Sequence, residues 1–255
     1  MLKSGLVSVS FRGLAPEEVA KAAVASQLEG IEWGGDVHVP PGDLERAKQV
    51  RAITERAGLK TFAYGSYYRA GENENPKQDF LPYLQAAEVL GAPSIRVWAG
   101  TKWSWRADES YVKRVVEDTK IICDMAKERH MKICYEYHGW TLTDNRFSAV
   151  DTVKLAERDN LYLYWQPNFA LTEEENRLAL KMVLPYLDHV HVFYWDANEA
   201  RFPLSQGQTL WKSFIDMIKK DGKDHGLMLE FLKDDSTQQC INDALTLNSL
   251  LILEE

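Results

Sequence analysis

Lys132-Ile-Cys-Tyr-Glu136-Tyr-His138 is a β-prone apolar run that ends on a carboxylate and an imidazole, then gives way to a loop and a helical pattern. Three later segments have the same form: Leu161-Tyr-Leu-Tyr-Trp-Gln166-Pro-Asn168, His189-Val-His191-Val-Phe-Tyr-Trp195 and Leu227-Met-Leu-Glu230-Phe. In an α/β barrel, polar groups at the carboxyl ends of successive parallel strands converge on one cavity. Glu, Gln, His and Glu together form an oxygen- and nitrogen-rich donor set for a divalent cation.

Outward from these segments the same unit repeats. Leu6 to Phe11 reads as a strand, and Pro16-Glu-Glu opens a helix to about Gln27, with proline in the first turn and acids at the positive end of the dipole. Gly30-Ile-Glu-Trp is a short strand. Asp43 caps a helix from Leu44 to Ala57 that Gly58 ends. Leu59 to Tyr64 is a strand, Phe80 to Leu90 a helix, Ser94-Ile-Arg-Val-Trp a strand and Glu109 to His130 a long helix. Beyond the Glu136 strand, helices are expected over about Ser148 to Arg158, after the Thr172/Glu175 capping box, over Leu210 to Lys220 and over Thr237 to Leu253. Eight strands alternate with eight helices, and no Pro/Gly/Ser-rich linker divides residues 1–255. Right-handed crossovers make such alternation a parallel sheet, and eight units close into a single (β/α)₈ TIM barrel. An open doubly wound sheet is the alternative; no Gly-x-Gly-x-x-Gly follows the first strand.

The bulk composition narrows the function. The chain has 255 residues, 45% of them hydrophobic, and a formal charge of −8. That charge opposes non-specific nucleic-acid binding but permits a small anionic ligand held by a local Arg or Lys. Cys123, Cys134 and Cys240 are scattered, outside any Cys-x-x-Cys spacing, which predicts a reduced, cytoplasmic setting. No leader or membrane-length apolar run is read, so no membrane partner is expected.

Side-chain parity sorts the chemistry. Cys134, Glu136 and His138 share one face of their strand; His189, His191, Phe193 and Trp195 share a face of theirs; Met228 shares one with Glu230. A lone charge in Leu-Met-Leu-Glu-Phe is costly to bury unless it is paired or bound to a cation. A structural ion pair is the bland reading of Glu230; Glu136 and His191 at equivalent strand positions favour the metal. His189 and His191 are about 6.6 Å apart along the strand, and His191 lies nearer the carboxyl end, so His189 reads as a core histidine. His130 reads as a helix-end residue, and His225 as solvated in its Asp-Gly-Lys-Asp-His-Gly loop. Trp33, at the end of the second strand, and His38, in the segment after it, are candidates for substrate contact. Arg96 and Trp98 share a face on the fourth strand, and Arg96 could pair with Glu136 or bind an anion. Arg201 and Lys233 lie in the loops after strands seven and eight, where barrels often hold phosphate.

These residues, with Gly30-Ile-Glu-Trp-Gly-Gly-Asp-Val-His, Ala86-Ala-Glu-Val-Leu-Gly-Ala-Pro-Ser-Ile-Arg-Val-Trp, Tyr135-Glu-Tyr-His and Leu229-Glu-Phe, make the chain resemble the sugar phosphate isomerase/epimerase superfamily, the xylose-isomerase-like barrels, over nearly its whole length. The resemblance implies a divalent cation (Mn²⁺, Mg²⁺, Co²⁺ or Zn²⁺) bound by Glu136, Gln166, His191 and Glu230. It also implies that Glu136 and Glu230 exchange a substrate proton. His138 and Asn168 are expected to contact a carbohydrate or polyol. Gln166 departs from the pattern, which has Asp there; an amide can ligate but carries no charge, and the spacing leaves Asn168 open as the ligand instead. The expected activity is isomerisation or epimerisation. A lyase of the inosose-dehydratase kind uses the same enolate, and a barrel that binds sugar without turnover is the third reading. A nuclease would need a His-rich multi-metal cluster and a basic groove, neither of which the sequence has. A homo-oligomer is compatible with the sequence.

Overall fold

The computed structural model describes residues 1–252. Eight parallel strands close in chain order: β1 (Leu2–Val7), β2 (Gly30–Gly34), β3 (Lys60–Arg69), β4 (Ser94–Trp98), β5 (Lys132–Glu136), β6 (Leu161–Trp165), β7 (Leu187–Val192) and β8 (His225–Leu229). Helices follow them in turn: α1 (Pro16–Ala25), α2 (Leu44–Arg56), α3 (Pro76–Leu90), α4 (Glu109–Lys127), α5 (Arg146–Ala156), α6 (Glu173–Val183), α7 (Gln208–Lys219) and α8 (Thr237–Leu251). The closed (β/α)₈ barrel predicted from the alternation is therefore present. Among the described residues no helix is long and apolar enough to cross a membrane. Cys123, Cys134 and Cys240 are free and buried.

The helix ends have local causes. Asp43 accepts from Arg46 N at 2.9 Å. Thr172 and Glu175 form the reciprocal box, with Thr172 N donating to Glu175 Oε2 at 2.8 Å and Glu175 N to Thr172 Oγ1 at 3.2 Å. Gly91 ends α3 in the left-handed region at φ +78°.

Several boundaries differ from the sequence reading. The first strand is Leu2–Val7, not 6–11, because Ser8 to Phe11 turn into a 3₁₀ helix. There the Ser8 hydroxyl accepts from Gly34 N at 2.8 Å and the Ser10 hydroxyl from Phe231 N at 3.0 Å, tying that turn to β2 and to the end of β8. β3 runs on to Arg69 through an irregularity after Gly65. α3 starts at Pro76, behind an Asn75 cap, and keeps Pro82 in its interior. α4 stops at Lys127, with His130 at φ +57° beyond it. His225 is a buried residue at the start of β8, its Nε2 facing Asp221 at 3.0 Å, rather than a solvated loop residue. Leu253, the expected end of the last helix, lies outside the described residues.

Two apolar layers hold the barrel. A large one fills the space between strands and helices. A smaller one lies within the barrel and includes Val7, Phe62, Cys134, Tyr164 and Met228. Phe62 fills the amino-terminal end of the lumen: a Cβ at Gly5 would come within 2.8 Å of its ring, and one at Gly30 within 2.4 Å. That plug leaves the polar chemistry at the opposite, carboxyl end.

Candidate active site

A buried charge cluster occupies the carboxyl end of the barrel. Arg96 on β4 is 3% exposed and joins two carboxylates. Its Nε donates to Glu32 Oε1 at 3.2 Å and its Nη1 to Glu136 Oε2 at 2.7 Å. His191 on β7 sits on the other side of both: its Nε2 is 3.5 Å from Glu32 Oε2. Its Nδ1 is 3.2 Å from Gln166 Oε1, 3.3 Å from Glu230 Oε2 and 3.7 Å from Glu136 Oε1. Six strands or strand ends, β2 and β4 to β8, with Gln166 and Glu230 just past the last residues of β6 and β8, thus aim polar groups at one point, which is the arrangement parallel closure imposes.

The electrostatics are self-compensating. Burial alone would raise the Glu136 carboxyl, but Arg96 and His191 outweigh it and hold Glu136 well below the usual glutamate range. Glu32 is depressed in the same way, against burial, by His191 and Arg96. Burial opposes a charge on His191, but Glu230, Glu136 and Glu32 prevail and raise its pKa well above the ordinary value.

His191 Nδ1 has one hydrogen at most and three oxygens around it. Donors bound at ~2.1 Å to one ion stand roughly 3.0–3.4 Å apart. The Gln166 and Glu230 oxygens are at that spacing from Nδ1, and the Glu136 oxygen is a few tenths of an ångström further. As they stand, no three His, Cys, Asp or Glu side chains among the described residues are closed into a metal-holding group. The donor chemistry fits a divalent cation: two carboxylates, an amide oxygen and an imidazole whose other nitrogen is held by a carboxylate, Glu32.

A cavity of about 440 Å³ opens over the cluster. Gln166 both lines it and touches His191, so it connects the cluster to the cavity. His138, Trp140, Phe193 and Trp195 form aromatic walls. Nδ1 of His138 donates to Gly139 O at 2.7 Å, which leaves Nε2 as the nitrogen available to a ligand. The ring stacks on Trp98, with centroids 5.2 Å apart and planes at 17°. Asn168 lines the cavity too, but its Oδ1 accepts from Ala170 N at 2.9 Å in a local turn, whereas the Gln166 amide faces His191.

Three expected contact residues sit elsewhere or are otherwise engaged. Trp33 points into the helix layer, where its Nε1 donates to Thr54 Oγ1 of α2 at 3.0 Å. It follows Glu32 by one residue, and strand alternation sends the two to opposite faces. His38 is buried between Ser8 Oγ at 3.0 Å and Leu14 O at 3.2 Å, edge-on to Trp33, a support for the loop rather than a wall of the cavity. Arg201 is at the rim but committed to Asp235 at 2.8 Å, over the rings of Phe231 and Trp195.

Glu32 was not singled out from the sequence. Its signal was present: a lone carboxylate inside Gly30-Ile-Glu-Trp, the pattern that marked Glu230.

Gly65 makes the cluster possible. A Cβ there would lie 2.5 Å from Glu32 Oε1 and 3.0 Å from Arg96 Nη2. Gly65→Ala is expected to cost about 1–3 kcal/mol by overpacking. Gly13→Ala, where a Cβ meets nothing within 4 Å, is the control and is expected to be near neutral. Urea denaturation of the two variants checks this; equal stabilities would contradict the packing described.

Residues 20–250 match the family model for the xylose isomerase-like TIM barrel. No curated protein matches the sequence significantly. Among solved structures, the chain is similar to the probable 3-DHS dehydratase AsbF of Bacillus anthracis, at 18% identity and TM-score 0.81 over 97% of this chain and 99% of that one. It is similar to D-psicose 3-epimerase of Clostridium cellulolyticum H10 at 13% identity and TM-score 0.75, over 98% and 100% of the two chains. A xylose isomerase-like TIM barrel protein of Mycobacterium smegmatis, solved with magnesium, is similar at 15% identity and TM-score 0.74, over 98% of each chain. At these identities the structural likeness concerns the fold.

Proposed function

The chain belongs to the xylose isomerase-like TIM barrel family, and from that premise we propose that it is a divalent-metal-assisted isomerase or epimerase of a sugar or polyol derivative. The observation that carries the reading is His191 Nδ1 facing oxygens of Gln166, Glu230 and Glu136 behind an aromatic-walled cavity.

Glu136, Gln166, His191 and Glu230 are the residues that would hold the cation. When bound, such a cation supplies a Lewis acid that polarises a substrate carbonyl and lowers the cost of charge on its oxygen. The two carboxylates divide the proton work unequally. Arg96 keeps Glu136 ionised and engages one of its oxygens, so Glu136 serves chiefly as a fixed negative group. Glu230 has no arginine partner among the described residues and is the base that takes the proton from the carbon next to the carbonyl. Return of that proton by Glu230 to the neighbouring carbon gives an isomer; an epimer needs a second donor that delivers a proton to the opposite face of the first carbon, and His138, with Nε2 at the cavity, is the available group. Glu32 holds Nε2 of His191 and so fixes the direction of Nδ1. The Trp140, Phe193 and Trp195 side chains exclude water from the reacting carbon.

A dehydratase is the second reading, favoured by one observation. His138 presents Nε2 at the cavity, where an imidazolium could protonate a departing β-hydroxyl. Incubation with a panel of ketoses and inososes, with and without Mn²⁺, followed by product analysis, separates the readings. Epimers or isomers support the first and unsaturated products the second. Binding without conversion of any substrate contradicts both.

The neutral ligand gives a further prediction. Gln166→Asp adds a negative charge within a few ångströms of the cation and is expected to tighten Mn²⁺ at least about tenfold. Calorimetric titration reads the change. Unchanged affinity would remove Gln166 from the ligand set.

A further inference from the structure

At the carboxyl end of the barrel, Arg12 is neutralised by Asp36, Arg96 by Glu32 and Glu136, and Arg201 by Asp235. Arg69, the last residue of β3, is not. Its guanidinium lies 3.9 Å from the centroid of Trp98 and makes one long hydrogen bond, Nη1 to Gly100 O at 3.4 Å. No carboxylate of the described residues pairs with it. Glu72, the nearest acid in the chain, accepts on Oε1 from Tyr111 Oη at 2.6 Å and from Thr101 Oγ1 at 3.0 Å instead. The Trp98 ring that carries Arg69 also stacks on His138, which lines the cavity.

A half-buried guanidinium that spends one of its five N–H donors on a weak contact is poised for a partner from outside. A planar fork of donors matches a carboxylate or a phosphate, which it can bind through two parallel hydrogen bonds. The contact with the Trp98 ring restrains the guanidinium and lowers the entropy lost on binding. The cluster below does not satisfy Arg69: its three carboxylates already face Arg96 and His191.

We propose that Arg69 anchors an anionic group of the substrate, so that the cavity takes a sugar or polyol bearing a carboxylate or a phosphate. This rests on the reading of the cavity as a substrate site for such compounds.

Equilibrium binding of D-glucuronate, fructose 6-phosphate, fructose and inorganic phosphate to the wild type, Arg69→Gln and Arg69→Lys tests it, read by intrinsic tryptophan fluorescence. The wild type is expected to prefer at least one anionic sugar over fructose by about ten- to a hundredfold, as a charge-assisted hydrogen-bonded pair provides. Arg69→Gln is expected to lose that margin and leave fructose binding unchanged, with Arg69→Lys in between. Glucuronate and fructose 6-phosphate tell carboxylate from phosphate, and inorganic phosphate reports the anion without the sugar. If Arg69 only supports Trp98, charged and neutral ligands weaken alike, and the proposal fails. It also fails if the wild type shows no anionic preference, if Arg69→Gln keeps it, or if no probe binds. Conversion of neutral sugars without an anionic margin sinks the role of Arg69 alone. An Arg69-dependent margin in a protein that converts nothing sinks the catalytic reading alone.

Discussion

Glu230→Gln is expected to leave a folded barrel whose turnover falls by about a hundredfold to ten-thousandfold, the range associated with loss of a positioned acid–base group. The amide keeps the size of the carboxylate and an oxygen that can face His191 Nδ1, now 3.3 Å away. It cannot accept the substrate proton. Mn²⁺ affinity should also drop, because one negative charge leaves the donor set. Turnover of the substrate found by product analysis, together with thermal denaturation, reads the two effects separately. A variant with wild-type turnover would show that Glu230 is not the base. Glu136→Gln would then be compared, although Arg96 makes Glu136 the poorer proton acceptor.

The second large effect is on stability. Arg96→Met removes the cation between Glu32 and Glu136, leaving buried carboxylates with His191 as their remaining positive neighbour. Breaking a buried ion pair from one side costs about 3–5 kcal/mol, which for a chain of this size is a fall in Tm of roughly 10 °C. The pH dependence has a definite sign. Both glutamates have folded pKa values below the unfolded one, near 4.3. Their contribution is therefore complete above that pH and is lost as the pH falls through the depressed folded values. Without Arg96 the folded values rise, so acid unfolding should begin at a higher pH. Thermal scans between pH 3 and 7 check both the size and the sign. A variant as stable as the wild type across that range would show that the cluster does not depend on Arg96.

Which parts of this were legible in the sequence follows from local physics. Strand–helix alternation is carried by periodicity and capping residues, and it led to the closed barrel. Parity brought out Glu136, His191 and Glu230, because a polar group at the carboxyl end of an apolar strand stands out. The same logic marks Glu32 and turns Trp33 outward, but the adjacent Trp-Gly-Gly drew attention to the loop instead of the strand. Arg69 was beyond reach, since β3 continues past Gly65 through an irregularity that no period-two pattern records. The end of β1 was missed for another reason. Ser8 and Ser10 alternate with Val9 as in a strand, and only tertiary partners, Gly34 and Phe231, turn them into a 3₁₀ segment. His38 looked available in a glycine-rich loop, and its partners Ser8 and Leu14 come from a different part of the chain.

The central claim is that Glu136, Gln166, His191 and Glu230 form one divalent-cation site beneath the aromatic cavity. Anomalous scattering from crystals soaked in Mn²⁺ addresses it directly. The account predicts a single strong peak within bonding distance of His191 Nδ1, Gln166 Oε1 and oxygens of Glu136 and Glu230, with Glu32 still on His191 Nε2. At saturating Mn²⁺, absence of that peak with His191 still hydrogen-bonded to its carboxylates would contradict it.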